Sequence, residues 1–301
     1  MVYTAIASIK TNINNIADNV IGTIKVTNPL KHVKSNDAED PAWTELLALC
    51  ISSLGAEKFP QRLFDAIKTV TEFDNSVMFA YYKKEKPLCL YHTFSPKQRV
   101  VFVDDYLKGP YLLDPFFTAC SRQVAPGLYR LRDIAPDRFY QSEYYRSYYV
   151  RTGLSEELCY LFYLPTGVAV VISLMRSESS SRFSARQFRL LENASPIIIS
   201  LAQYHWQDIP GSLCGENEDG DTHHDHSLIA NTVGNLFGQR ITPRETQIVV
   251  QVLEGHSSES VAQSLGISVG TVRIHRRNIY AKLQISSQQE LFSMFFKKIT
   301  A

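Results

Sequence analysis

The chain has 301 residues, is 45% hydrophobic and carries a net charge of +1. That length suggests about two domains, the hydrophobic share is ordinary for a globular protein, and the near-neutral total says nothing about partners. The five cysteines are widely spaced with no C-x-x-C, which argues against a disulfide framework or a zinc site and points to a reducing compartment.

No apolar run approaches the roughly 18 residues of a membrane span. The N-terminus lacks the basic start, continuous apolar core and small-residue cleavage site of a signal peptide. A cytoplasmic protein with no membrane partner is expected.

Ile6, Ile9, Ile13, Ile16 and Val20 recur at spacings of three and four, one face of an amphipathic helix. It either packs on its own domain or forms a short coiled-coil contact. The polar stretch "HVKSNDAED" follows, so residues 1–40 read as a helix and a linker.

Residues 41–206 read as one α/β domain. Helices are predicted at 41–54 and 58–70. "SVMFAYY" and "LCLYHTF" flank a polar turn, and "ELCYLFYL" and "VAVVISLMR" flank Pro165-Thr166-Gly167, so each pair reads as an antiparallel hairpin. Between the hairpins, residues 96–120 are predicted largely helical with a break at Gly109-Pro110, and 137–153 as one helix closed by Gly153. A long helix is predicted from Ala185 to Trp206. An antiparallel sheet flanked by helices is the plan of PAS- and GAF-like sensory modules.

Residues 207–238 are expected to form an acidic, flexible linker, because their Gly-, acid- and His-rich composition cannot bury a core. Asp221, His223, His224, Asp225 and His226 have metal-ligating chemistry. Ordering a tether around an ion is entropically costly, so no metal is expected.

From Arg240 onward the chain holds eight Lys/Arg against four acids, a local positive excess. Thr242 and Glu245 form a capping box with Pro243 at N1, and Ser287 and Glu290 form another. Ser257 and Ser268 read as N-caps, with Gly255 and Gly266 as stops. Residues 239–301 thus resolve into four short helices, the second and third joined by a glycine-containing turn, the sequence form of a helix-turn-helix.

On a wheel of about 100° per residue, Val272, Ile279 and Leu283 form a buried stripe. Arg273, Ile274, Arg277 and Ala281 lie opposite. Arginine forks suit guanine edges in the major groove, and an apolar group suits the thymine methyl. His275, Arg276, Asn278 and Lys282 lie on the flanks, where phosphates pass. The expected partner is double-stranded DNA.

The segment from Ile241 to Leu291 closely resembles the LuxR/FixJ-type DNA-binding domain. Thr242, Arg244, Glu245, Ala262, Leu265, Ser268, Thr271, Val272, His275, Ile279, Lys282 and Leu283 fit its pattern. Ser260 and Gln288 depart from it. The resemblance implies a transcription regulator that forms a homodimer through its last helix, with Leu291, Phe292 and Phe295 as interface candidates, core packing being their other reading, and RNA polymerase as a further possible partner.

That family's N-terminal partners include phospho-receivers and acyl-homoserine-lactone-binding domains. A receiver's arrangement is not offered here. "FVDDYLKGPYLLDPFF" is similar to the lactone-binding signature, with Phe102 in place of its Trp, then Tyr106, Tyr111 and Asp114-Pro115. Tyrosine-rich sequence around it suits an oriented small-molecule pocket. Asp114, Tyr106, Phe102, Tyr111 and Phe117 are the ligand-binding candidates, with a helix N-cap as the other reading of Asp114. No H-E-x-x-H, P-loop or dinucleotide fingerprint occurs, so neither enzyme activity nor a cofactor is expected. A ligand-independent regulator whose large domain makes protein contacts is the alternative.

Overall fold

The computed structural model describes residues 41–82, 85–211 and 228–299. The isoleucine stripe, the linker at 32–40 and the acidic, His-rich stretch at 212–227 lie outside the described residues. Contacts group the chain into two units, Met1–Thr69 and Val70–Ala301.

In the first unit, α1 (Pro41–Ile51) and α2 (Phe59–Val70) match the predicted helices within three residues. Phe59, Leu63, Ala66 and Ile67 are buried at helical spacing. Arg62 donates to the Leu49 carbonyl at 2.9 Å and ties the two helices together.

The second unit is built on five strands: β1 (Asn75–Tyr81), β2 (Leu88–His92), β3 (Gly127–Arg130), β4 (Leu154–Tyr163) and β5 (Ala169–Ser177). They pair antiparallel in the order β2-β1-β5-β4-β3. Both predicted hairpins are present. The edge strand β3 was not predicted; four residues are too few to show an alternation.

Strand alternation sorts the side chains into two layers. Met78, Tyr160 and Ile172 share one face, and the Tyr160 hydroxyl donates to Leu191 O at 3.0 Å in α5 (Ala185–Trp206). Val77, Phe79, Tyr81, Cys159, Leu161, Val171 and Met175 share the other face, against the aromatic segment between β2 and β4.

That segment is helical but broken. The break at Gly109 is real, at φ 148°, and α3 (Pro115–Ser121) starts after it with Asp114 as N-cap. The single helix predicted at 137–153 is instead three short pieces, of which α4 (Glu143–Ser147) is central. Ser142, extended at ψ 156°, caps α4 through Tyr145 N–H and so interrupts the run.

The C-terminal helices are α7 (Pro243–Glu254), α8 (Ser258–Leu265), α9 (Val269–Leu283) and α10 (Gln288–Ile299), as predicted. A further helix, α6 (Leu228–Phe237), corrects the linker expectation at 207–238. Its Ile229, Val233 and Phe237 are buried at fourfold spacing, which an eye drawn to the preceding acids overlooked. In the capping box of α7, Thr242 Oγ1 accepts from Glu245 N–H at 3.3 Å and Glu245 returns the bond at 2.8 Å.

These helices seat on the sheet half of the same unit. Arg138 N–H donates to Gly255 O at 3.1 Å, and Ser257 N–H donates to Asp137 at 3.0 Å. Gly255 is left-handed at φ 101°, and a Cβ there would meet Phe139 Cα at 3.1 Å, so both conformation and space require glycine. Among the described residues, no helix is long and apolar enough to cross a membrane, and no group of three metal-ligating residues occurs.

Candidate nucleic-acid interface and ligand cavity

The recognition candidates sit on α9. Val272, Ile279 and Leu283 are buried, so the opposite side of the helix faces out. Arg273, Arg277 and Asn278 are exposed, and Ile274 is 52% exposed. Arg273 has one long contact, 3.7 Å to Glu259. Arg273, Arg276, Arg277 and Tyr280 line an open groove of about 580 Å³. Thr271 shares a 2.8 Å hydroxyl contact with the N-cap Ser268, and His275 is half-buried.

Two flanking cations are engaged inside the fold. Arg276 donates to Tyr280 Oη at 3.0 Å and to Gln288 at 3.2 Å, bracing α9 against α10. Lys282 donates to both oxygens of Glu245, at 2.8 and 2.7 Å. Burial pushes the Glu245 carboxyl up, but Lys282 and Thr242 outweigh it and hold it below the usual range. Lys282 was expected at a phosphate; in the free chain its Nζ instead holds a carboxylate that is 3% exposed, a partner the sequence reading did not foresee.

Leu291, Phe292 and Phe295 are 1%, 5% and 0% exposed within the chain. That is the core-packing alternative to their reading as a subunit contact. Their apolar face is already spent on intrachain packing, with α10 lying against α4 and α6.

In the sheet half, Asp114, Tyr106 and Phe102 line one small cavity of about 40 Å³. Tyr106 Oη donates to Asp114 at 2.8 Å, and the Tyr81 hydroxyl lies 2.6 Å from that of Tyr106. Phe116 N–H donates to the other Asp114 oxygen at 2.7 Å. Asp114 is thus both an N-cap and part of the wall. Burial pushes its carboxyl above the usual range, against the bonds from Tyr106 and the Phe116 backbone.

Tyr111 and Phe117 do not reach the cavity. They pack edge-to-face with each other, centroids 5.3 Å apart. One residue along α3 turns a side chain by about 100°, which puts Phe116 on the cavity and Phe117 off it. Phe102 stacks on Phe94 at 4.4 Å.

The sequence reading missed Glu157. It lines the same cavity, accepts from Tyr149 Oη at 3.0 Å, and is pushed up by burial and by the Asp114 charge. The signal was available: counting back by twos from Leu161 and Cys159 puts 157 on the inward face of β4.

An exposed arginine-bearing helix behind a glycine turn defines a helix-turn-helix DNA-binding protein. The sequence profile described as "Bacterial regulatory proteins, luxR family" matches residues 239–295. The chain is 30% identical over 186 residues, 62% of its length and 94% of the relative's, to an HTH-type transcriptional regulator in the exeN 3′ region of Aeromonas salmonicida. It belongs to the luxR family of transcriptional regulators.

Among solved structures, the VqsR LBD domain from Pseudomonas aeruginosa is similar at 27% identity and a TM-score of 0.48, over 55% of this chain and 97% of that one. A structure of SdiA in complex with octanoyl-rac-glycerol is similar at 14% identity and a TM-score of 0.39, over 88% of this chain and 98% of that one.

Proposed function

We propose that the chain is a cytoplasmic, ligand-responsive regulator that reads double-stranded DNA through α9. On this reading residues 41–206 are the sensory domain and 239–301 the DNA-binding domain, with α6 added to the latter. The observation that supports it best is the outward face of α9, where Arg273, Ile274 and Arg277 stand clear of the core. Arg273 and Arg277 read base edges, while Thr271, His275 and Asn278 lie beside the backbone. Pairing of two copies through α10 requires that helix to leave its seat.

The test is binding-site selection on purified variants. Arg273→Ala and Arg277→Ala each cost about 1–3 kcal/mol at one base step and relax specificity there. Site preference unchanged in both variants removes the two arginines from readout.

A second reading has its own observation. The cavity at Asp114 is about 40 Å³, far below the roughly 300 Å³ at which ordinary ligand pockets begin. A regulator whose tyrosines fill its own pocket and whose large domain makes only protein contacts fits that volume. A thermal-shift screen of small metabolites separates the two, since a ligand that prefers the folded chain raises its melting temperature.

A further inference from the structure

Resting on the ligand-responsive reading, we propose that the cavity takes a small organic cation, a protonated amine held between Asp114 and Glu157 against aromatic rings. The argument starts from what happens to other hidden carboxylates in this fold. Glu156 meets Arg130 at 3.0 Å, Glu245 meets Lys282 at 2.7 Å and Glu254 meets Arg122 at 3.2 Å. Each has a cation, as a carboxylate removed from water requires.

Asp114 and Glu157 break that pattern. None of the fifteen residues lining their cavity is Lys, Arg or His. Their partners are neutral: the Tyr106 hydroxyl and Phe116 N–H for Asp114, the Tyr149 hydroxyl and Ser173 for Glu157. Two acids therefore share a space in which no described residue supplies a counter-charge, and the Asp114 charge adds to burial in driving Glu157 toward the protonated form.

A cation supplied from outside completes the site. The rest of the wall states which kind. Phe79, Phe102, Phe116, Tyr144 and Tyr148 present aromatic rings, which attract an ammonium group by its charge and accept its hydrocarbon. A hard ion such as Ca²⁺ or Mg²⁺ would ask for about six or more oxygen ligands, and no cluster of three metal-ligating side chains occurs among the described residues. The volume of about 40 Å³ limits the guest to a short amine.

The experiment is a thermal shift on the full chain with three probes: propylammonium, its neutral isostere 1-propanol, and the anion propionate. Propylammonium is expected to raise the melting temperature by about 2–4 °C at roughly five times its Kd, with 1-propanol and propionate inert. Glu157→Gln should abolish the shift while keeping the circular-dichroism spectrum. Asp114→Asn, which retains the capping oxygen, should weaken it at least about tenfold. A response to 1-propanol or propionate without one to propylammonium overturns the cation assignment and leaves small-molecule sensing standing. A response to none of the three overturns the cation assignment, and the metabolite screen then decides separately whether the chain senses a small molecule. A propylammonium shift that survives in both variants places the amine elsewhere and also overturns the proposal.

Discussion

Glu245 and Glu157 are hidden alike, 3% and 7% exposed, yet their carboxyls are driven in opposite directions. Glu245 sits in a helical segment where its N-cap partner is three residues away and Lys282 reaches it with both oxygens in range. Glu157 sits in the middle of a sheet and faces a second acid across a cavity of tyrosines. The C-terminal helices solve a buried charge with an internal cation, as a fold built for stability does. The sheet half leaves this pair of acids without an internal cation among the described residues, which is the mark of a place where binding rather than packing sets the requirement.

The largest effect expected from this contrast is at Lys282. Lys282→Ala leaves the Glu245 carboxylate buried without its cation, and the C-terminal helices lose about 1–3 kcal/mol; the range allows for the half-exposed lysine end. Denaturant unfolding measures it. DNA binding per folded molecule should keep its salt dependence. A shallower salt slope with unchanged stability would return Lys282 to the phosphate contacts and dissolve the contrast.

The opposite sign is expected at Glu157. Its folded-state carboxyl is raised above the ordinary value, mainly by burial, so the folded chain holds the proton more tightly than the unfolded one. Stability contributed by the neutral acid is full below about pH 4.3 and is lost as pH rises toward the folded pKa. Glu157→Gln removes that loss. It should therefore leave stability unchanged at pH 4 and increase it by about 1–2 kcal/mol at pH 9. Melting curves at both pH values check the sign; a variant less stable than the parent at pH 9 would mean that the carboxylate is stabilised by a group not described above.

The same contrast explains what was legible in the sequence. Capping boxes, glycine stops and the Val272–Ile279–Leu283 stripe act within one or two helical turns, so Thr242, Glu245, Gly255 and Ser268 announced the C-terminal helices almost residue by residue. The two hairpins announced themselves by composition and turn residues. Asp114 and Tyr106 were found through a motif, and their contact across Gly109-Pro110 followed from folding, not spacing. Glu157 lies 43 positions from Asp114, and only the pairing of β4 with β5 and the packing of α3 bring them together. The Lys282 ion pair was missed for the same reason: a wheel shows direction from one helix axis and is blind to Glu245 on a neighbouring helix, 37 residues away.

The smallest effect is expected at the seam between the two regions. Arg122, exposed at the end of α3, reaches Glu254, which is 6% exposed at the end of α7. Burial pushes the Glu254 carboxyl up to about 7, and Arg122 works against that rise. His256 Nε2 lies 3.6 Å from the same carboxylate, and burial holds its imidazole below the usual value. With the folded pKa raised, stability from neutral Glu254 is full below about pH 4.3 and is lost up to about pH 7. Arg122→Gln removes the arginine that favours the ionised form, so the loss runs on to higher pH. At pH 5, where Glu254 is protonated in the folded chain, the variant should match the parent. At pH 8.5 it should be less stable by about 0.5–1 kcal/mol, since the arginine end is solvent-screened. Paired urea titrations at the two pH values read this difference. An equal loss at both would show that Arg122 acts through its packing against α3 and α7, and that its charge does not hold the sheet half to the DNA-reading helices.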